Sequence, residues 1–140
     1  ILLQLYNYKG TVHSYNKDIT EAIKQFMTAV KIAKEVNMKT EVVNEYNYAL
    51  LMALKKDRLT YEPILNEAFE YGYSFSDEDL KIINLSFIAS TYLDKTYSLD
   101  SSKRDEISKR MSDLYGEDWQ LSTKELAAKL DAEYSLRNQK

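Results

Sequence analysis

Small residues recur along the chain at an interval of about 40 residues. Gly10, Ala49 and Ala89 are separated by 39 and 40 residues, and Ala68 follows Ala29 by 39 residues. Small side chains of this kind are needed where two helices approach closely, because the side chains at a helix contact set the distance between the axes. The interval indicates stacked helical hairpins, none of which can bury its apolar face alone. We therefore expect an all-α fold.

The composition excludes several classes of protein. Hydrophobic residues make up 44% of the chain and charged residues 29%, as in ordinary globular domains. With 3 glycines and 1 proline, the tight turns of an all-β chain are not expected. The net charge of −3 argues against direct binding of nucleic acid, which needs basic patches. We expect no membrane insertion, because no apolar run approaches the ~18 residues of a membrane span.

The chain contains no cysteine, so it has neither a disulfide framework nor thiolate chemistry. This absence fits a reducing compartment. We therefore expect a cytoplasmic location, with a periplasmic sensor region as the alternative.

Apolar residues at helical spacing predict six helices up to residue 116 and a seventh beyond it. The first runs from near Ile1 to about Tyr15, and Asp18 caps the second. In the fourth helix, we expect Pro63 in the first turn, where its missing N–H costs nothing. Gly72 is expected to end that helix.

The later helices are less regular. A single fifth helix is expected to begin after Ser76 and to continue to Tyr92. The seventh begins at Ser122 and has no partner hairpin, so it is interpreted as a capping helix or as the start of a signalling helix. We therefore divide the chain into helical repeats over 1–116 and a C-terminal capping or signalling helix over 117–140. Trp119 is expected to fill the joint between helices six and seven, the alternative being an exposed contact residue.

The first hairpin resembles a tetratricopeptide repeat. The matching residues are Tyr6, Gly10, Ala22, Phe26 and Ala29. Two weaker repeats follow. The second hairpin has Tyr48, Ala49, Leu65 and Ala68 at matching positions, and Tyr61 replaces the usual alanine. The third hairpin has Ala89 and Tyr92. The resemblance implies a right-handed superhelix of about three stacked hairpins plus a C-terminal capping helix. The interval is similar to that of the long-helix variant in bacterial sensor proteins and peptide receptors.

The resemblance also implies a concave groove that binds a protein or an extended peptide and is lined by the first helix of each hairpin. The corresponding positions are Asn7, Thr11, Ser14, Tyr46, Asn47, Leu50, Ser86, Phe87 and Ser90. Asparagine suits this role because its amide both donates to and accepts from a peptide backbone. Tyrosine and phenylalanine would add apolar contact area. The alternative is that Leu50 and Phe87 belong to the core and that the other positions are solvated.

No motif for nucleophilic, nucleotide-dependent or metal-dependent catalysis occurs in the sequence. The one histidine, His13, has no metal-ligand spacing around it. We therefore expect no catalytic residue, metal or cofactor. The chain lacks an initial methionine, so we expect a piece of a longer protein.

The leading hypothesis is a non-catalytic protein-binding or peptide-binding module, the sensory or docking region of a larger bacterial signalling protein such as a cyclase or kinase. One alternative is the peptide-sensing regulatory domain of a transcription factor. Another is a helical enzyme that uses dispersed carboxylates. Homodimerisation through the C-terminal helix is a further expectation.

Overall fold

The computed structural model describes residues 1–120 together with Glu125, Ala128 and Ala132. This part of the chain is helical and contains no β-strand, which confirms the all-α prediction. The helices are α1 (Leu2–Tyr15), α2 (Ile19–Glu35), α3 (Lys39–Leu54), α4 (Arg58–Tyr73), α5 (Asp77–Ile82), α6 (Ser86–Lys95) and α7 (Ser101–Tyr115).

From α1 to α4, neighbours in the sequence are neighbours in space. Helix α2 packs between α1 and α3, and α3 packs between α2 and α4. Helix α6 then packs on α4, and α7 contacts both α5 and α6. The first connections are short, so consecutive helices run antiparallel. Lys17 and Asn37, with φ of 60° and 57°, reverse the chain direction after α1 and α2.

The repeated small residues lie where helices meet. Ala22, Ala29, Ala49, Ala68 and Ala89 are all buried. Gly10 lies against the fully buried ring of Phe26, and a Cβ at that position would be 2.8 Å from two ring carbons. Helix α1 therefore approaches α2 more closely than any residue with a side chain would allow.

The helix starts follow the capping rules. Asp18 accepts a hydrogen bond from the Glu21 amide at 3.4 Å, which confirms its predicted capping of α2. Ser76 accepts one from the Asp79 amide at 3.2 Å. Such caps satisfy backbone donors that have no partner within the helix.

Helix α4 corrects two predictions. It begins at Arg58, because Asp57 caps it by accepting from the Thr60 amide at 2.9 Å. Pro63 therefore lies inside the helix and not in its first turn. Gly72 does not end the helix either. It is buried against Leu85, where a Cβ would be 2.3 Å from a methyl carbon, so this glycine serves close packing.

The predicted fifth helix is broken, and this prediction was wrong. Ile83 has the extended backbone angles φ −99° and ψ 116°, and the Asn84 carboxamide oxygen accepts from the Ser86 amide at 2.8 Å. The Tyr115 hydroxyl, from α7, accepts a hydrogen bond from the Leu85 amide at 3.1 Å. That oxygen also lies 2.6 Å from the Leu80 carbonyl oxygen. The Tyr115 side chain of α7 thus forms hydrogen bonds with backbone groups that have no partner within a helix because of the break.

Arg110 fixes α7 to the end of α4. Its guanidinium donates to the carbonyl oxygens of Tyr73 and Phe75, both at 2.7 Å, and to the Asp77 carboxylate at 3.0 Å. Trp119 is 3% exposed and belongs to the core. Its burial excludes the alternative of an exposed contact residue, whereas the predicted joint with the C-terminal helix lies outside the described residues.

Most of the predicted C-terminal helix, including its start at Ser122, lies outside the described residues. Trp119, Gln120, Glu125, Ala128 and Ala132 are in helical conformation.

Candidate functional site

The predicted groove residues fall into two groups by burial. The buried group consists of Ser14, Tyr46, Leu50, Ser86 and Phe87. The partly exposed group consists of Asn7, Thr11, Asn47 and Ser90. Leu50 and Phe87 belong to the hydrophobic core, so in this conformation the partly exposed group is what a ligand can contact. The groove itself stays a prediction.

Tyr46 connects three helices through its hydroxyl. The Lys34 ammonium of α2 donates to this hydroxyl at 2.6 Å, and the hydroxyl donates to the Glu67 carboxylate of α4 at 2.7 Å. Burial, followed by the neighbouring Glu67, raises the pKa of Tyr46 above its ordinary value. The phenol therefore stays protonated and keeps its donor role, which makes Tyr46 a link between α2, α3 and α4.

The hydroxyls of α1 are satisfied within the helix. Thr11 donates to the Asn7 carbonyl oxygen at 2.9 Å, and Ser14 donates to the Thr11 carbonyl oxygen at 2.7 Å. Bonds of this type let a polar side chain lie on a buried helix face. The Thr11 hydroxyl can still accept a further hydrogen bond.

Asn7 joins α1 to α3 through a carboxylate that the sequence did not single out. Its amide nitrogen donates to both oxygens of Glu45, with 2.9 Å to Oε2. Glu45 is 4% exposed. The contact spans 38 residues of sequence and connects the first helices of two successive hairpins.

The ionised form of Glu45 is disfavoured in this position. Burial raises the pKa of its carboxyl group from 4.5 to about 7, the Asn7 amide opposes that shift, and the charge of Glu41 adds to it. A buried carboxylate usually has a cation or several donors as partners. Within the described part of the chain, Asn7 is the one side chain that donates to Glu45.

Two further groove positions hold polar atoms without a hydrogen-bond partner. Among the described residues, the buried side-chain atoms in this state are Gln25 Oε1, Asn47 Oδ1 and Ser86 Oγ. Buried polar groups are paired in the great majority of cases, so each exception needs an explanation. Asn47 and Ser86 both belong to the predicted groove, on α3 and α6.

Apart from the predicted groove positions, the described residues form a cleft between α4 and the end of α6. This cleft has a volume of about 340 Å³, and its lining includes Arg58, Glu62, Glu70, Lys95 and Tyr97. Arg58 donates to Glu62 at 2.6 Å, and its guanidinium carbon lies 5.2 Å from the centre of the exposed Tyr97 ring. Both signs of charge line the cleft, so it favours no single class of ligand.

His13 lies 3.7 Å from the Asp18 carboxylate at the turn between α1 and α2. Within residues 1–120 and the three further described positions, no group of three or more acidic, histidine or cysteine residues is arranged to hold a metal ion. In that same part of the chain, every helix is too short or too polar to cross a membrane.

Comparisons of the chain with protein-family models, curated proteins and solved structures found no match.

The sequence contained one overlooked signal for Glu45. On a helix, residues three and four positions apart share a face, and Glu45 shares its face with Val42 and Ala49, both fully buried. A charged residue within an apolar face is either paired or functional. The partner, Asn7, could not be identified because it lies on another helix.

Proposed function

We propose that the chain is a non-catalytic module that binds a protein or an extended peptide through the first helices of its hairpins, arranged as in a tetratricopeptide superhelix. We further propose that it serves as the sensory or docking region of a larger bacterial signalling protein. The packing of α1 to α4 in sequence order supports this arrangement, since each hairpin of such an array contacts only its neighbours.

The observation that carries the proposal is the set of unsatisfied polar groups at the groove positions. Asn47 Oδ1, on the partly exposed Asn47, has no partner among the described residues. Ser86 Oγ is also without one, and Glu45 has a single amide donor there, but both residues are buried, so a ligand reaches them only when the side chains over them move. Extended peptides present backbone donors and acceptors at regular intervals, and such groups would complete these hydrogen bonds. A ligand that forms these hydrogen bonds removes the free-energy cost of leaving buried polar atoms unpaired in the free chain.

The test is binding of the purified chain to an array of short random-sequence peptides, followed by calorimetry on the peptides that bind. Asn47→Ala is expected to weaken binding about tenfold, the value of one hydrogen bond. Ser90→Arg is expected to block the groove sterically. Lys24→Ala is the matched control, because Lys24 is exposed on α2 and should not affect binding.

Two results would contradict the proposal. One is that no peptide on the array binds saturably. The other is a set of binders whose affinity is unchanged in Asn47→Ala and Ser90→Arg, since binding would then occur elsewhere on the chain.

A further inference from the structure

We propose that the α1–α3 part of the groove is a subsite for a cationic side chain, arginine or lysine, of the bound peptide, and that Glu45 is the residue that receives it. This inference rests on the proposed function, because it assigns the chemistry of one position within that groove.

The first argument is the shortage of donors around Glu45. A carboxylate offers about four acceptor positions, and the Asn7 amide nitrogen is the donor that reaches it among the described residues. A guanidinium has five donors in a planar fork that matches a carboxylate, and an ammonium has three. A cationic side chain therefore supplies what this site lacks.

The second argument is the sign of the charges around the site. Glu41, one turn earlier on α3, is the charged group that acts on Glu45. Helix α1 contributes the uncharged Asn7, while Lys34 of α2 and Glu67 of α4 are engaged by the Tyr46 hydroxyl. Among the described residues, no cation of the helices packed against α3 pairs with Glu45, and Glu41 adds negative charge beside it. An anionic ligand would be repelled there.

The third argument is access. Asn7 is partly exposed, and its amide donates to the buried Glu45 carboxylate. Rotation of its side chain opens the carboxylate to the groove, and the incoming cation takes the place of the amide. Asn7 accordingly competes with the ligand for Glu45.

Binding of a cation requires ionised Glu45, so affinity is coupled to proton release. With a pKa of about 7, about a tenth of the carboxyl groups are ionised at pH 6 and about nine tenths at pH 8. Because the apparent affinity scales with the competent fraction, it should be about tenfold tighter at pH 8 than at pH 6.

The test uses two peptides that differ only in charge. One is acetyl-Gly-Arg-Gly-amide, and the other has citrulline, a neutral isostere, in place of arginine. Binding is followed by the amide signals of the isotopically labelled chain in nuclear magnetic resonance spectra. The arginine peptide should shift the Asn7 side-chain signals saturably and bind at least about tenfold more tightly than the citrulline peptide.

Two variants separate the roles of the residues. Glu45→Gln should lose both the preference for arginine and the pH dependence. Asn7→Ala, which removes the competing amide, should bind the arginine peptide at least as tightly as the original chain. If Glu45→Gln does not fold, the comparison of the two peptides and the pH profile of the unaltered chain still decide the question.

The inference would be overturned if the two peptides bound with equal affinity. It would also be overturned if the affinity for the arginine peptide did not change between pH 6 and pH 8. If the peptide array yields groove binders without basic residues, this inference fails and the proposed function stands. If no peptide of any kind binds, the proposed function fails as well.

Discussion

At the scale of single residues, Glu45 makes the stability of the chain depend on pH below neutrality. The folded chain holds the proton of this carboxyl group more tightly than the unfolded chain, because the pKa rises from 4.5 to about 7 on folding. Its contribution to the free energy of unfolding therefore falls as the pH rises through this range. The full change is roughly 3 kcal/mol.

Glu45→Gln removes that titration and keeps the shape of the side chain. We expect the variant to gain roughly 2 to 3 kcal/mol over the original chain between pH 5 and pH 9. Chemical denaturation at a series of pH values measures the difference. Glu35→Gln, an exposed position in the last turn of α2, is the control and should follow the original chain. The expectation would be contradicted if the free energy of unfolding changed with pH in the same way for Glu45→Gln and for the original chain.

Gly10 tests the contact between α1 and α2. Alanine is favoured over glycine inside a helix by about 1 kcal/mol, but its Cβ would lie 2.8 Å from the ring of Phe26. Overpacking of this kind costs about 1 to 3 kcal/mol, so Gly10→Ala should destabilise the chain by about 1 kcal/mol overall.

A double-mutant cycle with Phe26→Leu isolates that contact. In the Phe26→Leu background, Gly10→Ala should be neutral or stabilising, because the smaller side chain leaves room for the new Cβ. We expect a coupling free energy above about 1 kcal/mol from denaturation curves of the four proteins. Additive effects would show that Phe26 does not restrict the size of residue 10.

The residue patterns predicted which side chains are buried, but not the contacts between helices. Ala22 and Ala29 are identifiable because they recur at helical spacing on an apolar face, and both are fully buried. The resemblance placed Tyr46 in a groove, yet its hydroxyl is engaged by Lys34 and Glu67. Those partners lie on α2 and α4, and no local pattern indicates which side chains three helices bring together.

At the scale of helices, the break between α5 and α6 depends on a side chain from a third helix. The Tyr115 hydroxyl receives the amide of the buried Leu85. Tyr115→Phe leaves that amide without a partner, which should cost about 1 to 3 kcal/mol. Hydrogen exchange at the Leu85 amide should accelerate more than exchange elsewhere in α6.

Tyr97→Phe is the matched control, because Tyr97 is 71% exposed. Its loss of a hydroxyl should leave both stability and exchange unchanged. Unaltered exchange at Leu85 in Tyr115→Phe would mean that this hydrogen bond does not hold the break in place.

The helix positions were predictable, but this interruption was not. Leu80, Ile83 and Phe87 follow one another at helical spacing, so the sequence indicates one long helix. The Tyr115 hydroxyl that pairs with the backbone at the break lies 30 residues after Leu85, so no local pattern indicates it. Gly72 was misinterpreted for a related reason: a glycine that stops a helix and one that admits Leu85 are identical in sequence.

At the scale of the whole molecule, burial increases from the first helix to the third. Helix α1 buries Gly10 and Ser14, and its Leu2, Leu5 and Tyr8 side chains are exposed. Helix α3, packed between α2 and α4, buries most of its central residues. In an array where each unit contacts only its neighbours, local stability follows the number of packed faces.

We therefore expect native-state hydrogen exchange to show a gradient along the chain. Amides of α1 should exchange through local opening at a free energy below that of global unfolding, and amides of α3 should exchange at the global value. Increasing denaturant concentrations distinguish the two cases, since global opening depends strongly on denaturant. Equal opening free energies in α1 and α3 would show that the array unfolds as one unit.

The buried indole of Trp119 is an intrinsic fluorescent probe for the part of the chain around the end of α7. The chain has 1 tryptophan and 12 tyrosines, so light absorbed selectively by the indole is emitted from one known position beside α7. While the ring stays out of water its emission lies at short wavelength, and opening of that end shifts it to the red. Fluorescence can therefore time the exposure of the α7 end separately from events at α1, without any added dye.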